Sequence, residues 1–372
     1  MPRVYHAGMS HAENDPGKYA SRLKLLVSNF FLAFLFAFLF SGVCVADDLR
    51  GKTLVLRFQE HSPAAATDEI IRRIMSPVSA DRIQSYYRND ANALPRQSIL
   101  LEKESFDFYM PVGDPPVKGY GLLVFIAPFD EAVIPAEWRK VLDRAGIIFV
   151  AARRSGNNHH MIGRRIPLAL HAYENVSRQY RLDPARVYIS GFSGGSRTAM
   201  RVALAYPDIF HGAILNAGSD PFGKAGIAMP PKELFLLFQG RTRMVQVTGT
   251  YDEIVAMGDS RMRKSARDYC IQHLDVQPMR RTGHALMGAK ALQAALSWLE
   301  MPQADTPGSA QCLDHLQLEI ADGLKEVQDS INRGQKQKAG RQLSIIDNSY
   351  GGLAAPASTE MARKILSMEN GE

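Results

Sequence analysis

A strand that ends in a tight, glycine-flanked turn and continues directly into a helix is the feature that most constrains this chain. Residues 187–190 read Val-Tyr-Ile-Ser, residues 191–195 read Gly-Phe-Ser-Gly-Gly, and a helix-forming run follows. Small residues on both sides of Ser193 allow the strand and the helix to approach closely. The pattern predicts a nucleophile elbow, in which a serine hydroxyl stands above the edge of a sheet.

Short apolar runs alternate with helical segments on both sides of this turn. Their composition is typical of buried parallel strands. Four of these runs occupy residues 121–127, 146–151, 212–216 and 244–248. The alternation predicts an α/β fold with a mostly parallel central sheet and helices on both faces. Active sites in such sheets lie beyond the carboxyl ends of the strands, which is where the turn at Ser193 lies.

A nucleophilic serine needs a histidine base, and the base needs a carboxylate that fixes its tautomer. Asp252 follows the strand at 244–248, and His284 follows a strand predicted at 276–281. Ser193, Asp252 and His284 occur in the chain order of the alpha/beta hydrolases. We therefore predict that they form a catalytic triad. Asp220, after the preceding strand, is the alternative acid.

The predicted reaction also needs two hydrogen-bond donors for the oxyanion. The backbone N–H of Gly194, directly after the nucleophile, is the first. The second is expected from the loop after the strand at 121–127. Pro128 in that loop has no N–H, so we assign this role to Phe129.

The loop after the strand at 146–151 is expected to overhang the same edge of the sheet. It reads Ser-Gly-Asn-Asn-His-His at 155–160, and we predict that Asn157 and His159 contact the substrate. No Cys, Asp or Glu lies at ligand spacing around the two histidines, so we predict no metal site there. The predicted chemistry requires no cofactor.

The N-terminal segment is typical of an export signal. A basic region precedes an apolar stretch at 25–45, and small residues fit cleavage after Ala46. We expect a mature protein that is exported, either periplasmic or secreted. The alternative is an uncleaved membrane anchor, since residues 25–46 are long enough to span a bilayer.

The net charge of +6 is mild, and no segment combines a dense Lys/Arg run with aromatic residues. This composition predicts no nucleic-acid partner. We expect three arginine pairs to be solvated surface. They are Arg153-Arg154, Arg164-Arg165 and Arg280-Arg281. Cys270 and Cys312 would remain after export, either as a disulfide or as two buried thiols.

The composition changes after residue 302. Thr-Pro-Gly-Ser at 306–309 reads as a linker, and apolar residues then recur at helical spacing. We predict a signal peptide at 1–46, a main domain at 47–302 and a C-terminal helical appendage at 303–372. The appendage either packs on the main domain or binds a protein partner.

Several stretches resemble alpha/beta hydrolases related to secreted esterases and polyhydroxybutyrate-depolymerase-like proteins. The matching segments are residues 106–111, 182–188, 206–210 and 249–255. The resemblance extends over residues 105–300, about half of the chain, and includes all three triad positions. It implies cofactor-free hydrolysis of a small-molecule or polymer ester through an acyl-enzyme. Ala127-Pro128 replaces the usual His-Gly pair of this family's oxyanion strand.

From these patterns we predict an exported serine hydrolase of the carboxylesterase type. One alternative is a serine peptidase of the same fold. The other is a non-catalytic binding or scaffold protein that has kept the fold, since the oxyanion strand is altered.

Overall fold

A computed structural model describes residues 49–89, 99–132, 134–224, 226–302 and 309–368. The predicted signal at 1–46 and most of the predicted linker lie outside the described residues. From Gly51 onward the chain forms one compact unit. None of the helices in the described part of the chain is long and apolar enough to cross a bilayer.

The core of this unit is an eight-stranded sheet with the order β1-β2-β4-β3-β5-β6-β7-β8. Strand β2 runs antiparallel to both of its neighbours, and the pairs from β4 to β8 are parallel. The strands are β1 (Thr53–Leu56), β2 (Phe106–Tyr109), β3 (Tyr120–Ile126), β4 (Ile147–Ala152), β5 (Leu182–Phe192), β6 (Gly212–Asn216), β7 (Arg243–Val247) and β8 (Leu274–Val276). The prediction of a mostly parallel sheet is thus confirmed.

Helices cover both faces of the sheet, which explains why β3 and β4 are wholly buried and continuously apolar. Up to residue 302 the helices are α1 (Thr67–Ile74), α2 (Pro77–Asn89), α3 (Arg139–Ala145), α4 (Ile166–Gln179), α5 (Gly194–Ala205), α6 (Lys232–Arg241), α7 (Glu253–Asp268) and α8 (Ala289–Leu299). A serine turn between β5 and α5, in a sheet with this order, is the arrangement of the alpha/beta-hydrolase fold.

One strand boundary near the site differs from the sequence prediction. Strand β8 ends at Val276 instead of continuing to residue 281. Pro278 has no N–H for the ladder, and Met279 contributes only an isolated bridge to Gly249. Helix α7 begins at Glu253, directly after Asp252, and its buried face starts at Val255.

Three C-terminal helices are present, as the apolar spacing predicts: α9 (Ser309–Asn332), α10 (Lys336–Tyr350) and α11 (Ala357–Ser367). They pack on the body of the molecule. The Tyr269 hydroxyl donates to the backbone O of Ser349 at 2.5 Å. Arg363 pairs with Asp81 of α2 at 2.6 Å. A protein partner for these helices stays a prediction.

A disulfide joins Cys270, just after α7, to Cys312 in α9. The sequence leaves open whether these cysteines are a disulfide or two buried thiols, and in the structure they form the disulfide. The bridge connects the sheet-containing body to the first of the C-terminal helices.

Candidate active site

Ser193 occupies the sharp turn between β5 and α5. Its backbone has φ 54° and ψ −119°, a region that residues with a side chain rarely adopt, so the turn is strained. Close packing holds it: a methyl group at Gly191 would lie 2.6 Å from the backbone N of Ser196. One at Gly195 would overlap the carbonyl of Ile126. Only glycine fits at these two positions, so the elbow forms as the sequence predicts.

The structure brings Ser193, His284 and Asp252 into one hydrogen-bonded chain. Nε2 of His284 lies 2.9 Å from Oγ of Ser193, and Nδ1 lies 2.6 Å from Oδ2 of Asp252. With a neutral imidazole protonated at Nδ1, the ring donates to Asp252 and accepts the serine hydroxyl proton at Nε2. This is the geometry in which a histidine acts as the base for a serine.

The side chains of Asp252 and His284 differ in their access to solvent. The Asp252 side chain is 9% exposed, whereas that of His284 is 44% exposed. The Phe192 ring packs against the His284 ring, with centroids 5.0 Å apart. The nearly buried carboxylate of Asp252 therefore fixes the imidazole of His284, which remains accessible to solvent.

Backbone hydrogen bonds join the loop that carries Asp252 to the loop that carries His284. The N–H of Thr250 donates to Met279 O at 3.0 Å, and the N–H of Tyr251 donates to Thr282 O at 2.9 Å. The N–H of Arg281 donates to the Thr250 hydroxyl, also at 2.9 Å. These bonds hold Asp252 and His284 in register beyond the end of the short β8.

Asn216, at the end of β6, is a buried residue that the sequence analysis did not single out. Its backbone O accepts from the N–H of Ser193 at 2.9 Å. Its side chain accepts from the N–H of Met287 at 2.8 Å and donates to Ala285 O at 3.3 Å. Asn216 thus links the backbone of Ser193 to the loop that carries His284. The one sign of this role in the sequence is that a polar asparagine ends an otherwise apolar strand.

Asp220, the alternative acid, is engaged elsewhere. It pairs with Arg201 at 2.6 Å and with Arg197 at 3.5 Å. Its position after β6 is as predicted, but the residue that contacts the His284 ring is Asp252.

The two residues assigned to the oxyanion hole lie on neighbouring segments. Gly194 is the first residue of α5, where backbone N–H groups have no partner within the helix. The loop of Phe129 packs against the loop after β4: a methyl group at Gly156 would lie 2.8 Å from the backbone C of Phe129. Phe129 as a whole residue is 68% exposed. The donor role of its backbone stays a prediction.

Arg165 is buried, which corrects its assignment to solvated surface. Its guanidinium donates to three backbone carbonyls: Ser155 at 2.8 Å, Ala127 at 3.2 Å and Gly194 at 3.4 Å. Burial lowers the pKa of Arg165. It joins the ends of β3 and β4 to the elbow. No signal in the sequence distinguishes it from a surface arginine.

The neighbouring arginines pair with buried carboxylates, although Arg154 remains exposed as predicted. Arg153 pairs with the buried Asp107 at 2.7 Å. Arg154 and Arg164 both reach the buried carboxylate of Glu104, at 2.9 and 2.6 Å. Burial alone would raise the pKa of Glu104, but the two guanidinium groups hold it below its ordinary value. The third pair, Arg280-Arg281, is exposed as predicted.

Asn157 and His159 lie on the loop after β4, beside the elbow. A methyl group at Gly194 would lie 2.8 Å from Nδ2 of Asn157. His159 Nε2 lies 2.9 Å from Oδ1 of Asp130, and His160 Nδ1 accepts from the N–H of Gly163. Both histidines thus stabilise loops. No metal-binding cluster of His, Cys, Asp or Glu occurs in the described ranges.

Comparison with known proteins gives distant similarities. No family model matches the chain. A poly(3-hydroxybutyrate) depolymerase of Ralstonia pickettii is 31% identical over 100 residues, which cover 23% of this chain and 20% of that protein. The chain therefore spans about a fifth of the length of that relative.

Solved structures that resemble the chain include esterase 2 of Thermogutta terrifontis, phosphonylated by sarin. It is 14% identical, covers 54% of this chain and 89% of its own, and has a TM-score of 0.36. Dipeptidyl peptidase 4 of Porphyromonas gingivalis is also 14% identical, covers 55% of this chain and 34% of its own, and has a TM-score of 0.41. Likeness at this level says nothing about activity. The strand order and the elbow themselves identify the fold of this chain as that of the alpha/beta hydrolases.

Proposed function

We propose that the chain is a serine hydrolase that cleaves carboxylic esters through an acyl-enzyme. The observation that carries this proposal is the hydrogen-bonded chain from Ser193 through His284 to Asp252, which starts at a strained elbow. The short match to a poly(3-hydroxybutyrate) depolymerase supports an ester substrate, either a small molecule or a polymer.

Each of the three residues has a defined role in the proposed reaction. Ser193 Oγ attacks the ester carbonyl while His284 Nε2 takes the hydroxyl proton. His284 then returns this proton to the leaving alcohol, and a water molecule deacylates the serine with the same base. Asp252 holds the Nδ1 tautomer and stabilises the imidazolium. The backbone N–H of Gly194 stabilises the negative charge on the carbonyl oxygen.

The first experiment tests whether Ser193 is an activated nucleophile. Wild type, Ser193→Ala and Ser260→Ala are treated with a fluorophosphonate probe and assayed on p-nitrophenyl butyrate. Ser260 is an exposed serine of α7 and serves as the matched control. We expect labelling and hydrolysis in wild type and in Ser260→Ala, and neither in Ser193→Ala. A folded wild type that is not labelled would favour the binding or scaffold alternative.

A peptidyl p-nitroanilide in the same assay separates the esterase from the peptidase alternative. The proposal requires a kcat/KM for the ester well above that for the anilide. The reverse preference would assign the same triad to a peptidase.

We also propose that the protein is exported with residues 1–46 removed. The basic and apolar pattern of this segment supports the proposal, and so does the Cys270–Cys312 disulfide, since such bonds persist in oxidising compartments. Sequencing the N-terminus of protein from the periplasm or medium of an expressing bacterium should give Asp47. An uncleaved chain in the membrane fraction would instead support the anchor alternative.

A further inference from the structure

Asn157 is held in place by its backbone, whereas its side chain is not engaged. Its N–H donates to Pro128 O at 2.9 Å, which ties the loop after β4 to the loop after β3. Within the part of the chain that the structure describes, no hydrogen-bond partner of the Asn157 side chain is found. The residue is exposed, so solvent reaches its amide group.

The amide of Asn157 lies over the residue that follows the nucleophile. A methyl group at Gly194 would overlap Oδ1 of Asn157 and would lie 2.8 Å from Nδ2 of the same amide. Gly194 supplies the backbone N–H that the proposed mechanism assigns to the oxyanion. A neutral amide, which carries a donor nitrogen as well as the oxygen nearest to Gly194, therefore lies beside the place where negative charge would develop.

The loop that carries Asn157 is fixed on both sides. The N–H of Gly156 donates to Oδ1 of Asp130 at 3.1 Å, and the same oxygen lies 2.9 Å from Nε2 of His159. Just before them, the buried guanidinium of Arg165 holds the carbonyl of Ser155 at 2.8 Å. The backbone of such a loop needs little reorganisation during the reaction, so that only the side-chain amide itself has to turn to reach an oxyanion.

One residue of the loop after β3, Pro128, has no backbone N–H and cannot donate to an oxyanion. That loop and the Asn157 loop meet directly beside the elbow, where a methyl group at Gly195 would lie 3.2 Å from the backbone C of Ala127. The side-chain amide of Asn157 lies next to this junction and carries N–H donors, which Pro128 lacks.

We propose that Nδ2 of Asn157 donates a hydrogen bond to the oxyanion together with the backbone N–H of Gly194. Rotation of the amide about its χ2 torsion turns Nδ2 toward the carbonyl oxygen of the substrate. The inference rests on the proposed function, since it requires Ser193 to be the nucleophile. It makes Asn157 a catalytic residue, not only a residue that binds the substrate.

The test compares Asn157→Ala with Asn158→Ala on p-nitrophenyl butyrate. Asn158 is the adjacent, exposed residue of the same type and is the matched control. Loss of one oxyanion donor lowers kcat by about 10²- to 10³-fold. We expect this loss in Asn157→Ala, with a KM within about threefold of wild type, since the contact forms in the transition state. Asn158→Ala should retain wild-type kinetics.

A transition-state analogue gives a second readout. A trifluoromethyl ketone forms a hemiketal oxyanion with the serine, so its affinity for Asn157→Ala should fall by the same factor as kcat/KM. Asn157→Asp, which points an anion at the site, should lose at least as much activity as Asn157→Ala. Thermal melts of all variants establish that the fold is unchanged, and Asn157→Ser replaces Asn157→Ala if the latter does not fold.

The outcomes are distinguishable. Wild-type kcat with a raised KM in Asn157→Ala would overturn the proposal and make Asn157 a substrate-binding residue. Unchanged kinetics and unchanged analogue affinity would also overturn it and leave the second donor to Phe129. Wild type and Ser193→Ala are measured in parallel: if neither hydrolyses the ester, the proposed function itself fails, whereas an active wild type with an unaffected Asn157→Ala sinks only this inference.

Discussion

At the scale of single residues, the site combines sheltered anchors with an exposed base. Asp252 is nearly buried and His284 is not, so the carboxylate can fix the imidazole while the opposite nitrogen faces Ser193. Asn216 and Arg165 hold the loops of the site in place because their side chains form hydrogen bonds with the backbone of those loops. The positions of Ser193 and His284 therefore depend on polar residues to which the proposed mechanism gives no chemical role.

The two candidate acids can be separated by a pair of isosteric variants. Asp252→Asn should lower kcat by about 10³- to 10⁴-fold, because the amide favours the wrong imidazole tautomer and no longer stabilises the imidazolium. Asp220→Asn weakens only the ion pair with Arg201 and should keep kcat within about twofold of wild type. Steady-state ester hydrolysis measures both. The opposite ranking would move the acid to Asp220.

The triad positions could be predicted from local sequence, because each follows a recognisable strand. Ser193 has an additional signal in the glycines around it. Arg165 had none: its partners are carbonyls of Ser155, Ala127 and Gly194, which only the folded chain brings together. A buried arginine without a carboxylate partner cannot be distinguished from a surface arginine by composition.

At the scale of elements, hydrogen bonds between two loops continue the pairing of β7 with β8 beyond the end of the strands. Strand β8 has only three residues, and the bonds between the loops of Thr250 and Thr282 continue its registration with β7 as far as the site. The sequence predicted a longer β8 because residues 276–281 include apolar positions. The tertiary structure ends the strand where Pro278 interrupts the ladder.

The contact between α10 and the start of α2 has a buried carboxylate. Asp347 accepts from the Ser76 hydroxyl and from the N–H of Val78. Burial raises the pKa of Asp347, although these bonds and the charge of Arg82 oppose the shift. A raised pKa in the folded state means that its contribution to stability is present below the unfolded pKa of about 3.9 and is lost as the pH rises through the folded pKa.

Asp347→Asn tests this effect because the amide keeps an acceptor but carries no charge. The melting temperature of the variant should rise relative to that of wild type as the pH increases from the unfolded pKa of about 3.9 toward neutrality, because only wild type must then ionise a buried carboxyl group. Calorimetry across this range gives the difference. Parallel curves for the two proteins would mean that the carboxyl group titrates alike in the folded and unfolded chains.

At the scale of the whole molecule, the C-terminal helices and the sheet belong to one compact unit. Hydrogen bonds, an ion pair and the disulfide hold the helices against the body. The bridge closes a segment with a sequence separation of 42, which includes α8 and the start of α9. Constraint of the unfolded chain by a loop of this length stabilises the fold by about 4 kcal/mol in the chain-entropy model.

Cys312→Ser should therefore lower the free energy of unfolding by about 3–4 kcal/mol while ester hydrolysis at 25 °C remains within about twofold of wild type. Urea denaturation followed by tryptophan fluorescence gives the stability. The double variant Cys270→Ser/Cys312→Ser is the control, since it should lose no more than the single one. Equal urea midpoints for oxidised wild type and Cys312→Ser would contradict a stabilising bridge.

The sequence by itself determined the alternation of strands and helices, the elbow at Ser193 and the chain order of serine, aspartate and histidine. These features are local: an apolar run, a glycine or a loop position carries its signal within a few residues. Only the tertiary structure decided that Asp252 and not Asp220 contacts His284, that Cys270 is bonded to Cys312, that Arg165 is buried and that the Asn157 amide lies over Gly194. Those facts depend on distances between segments far apart in the chain, which the packing of strands and loops sets.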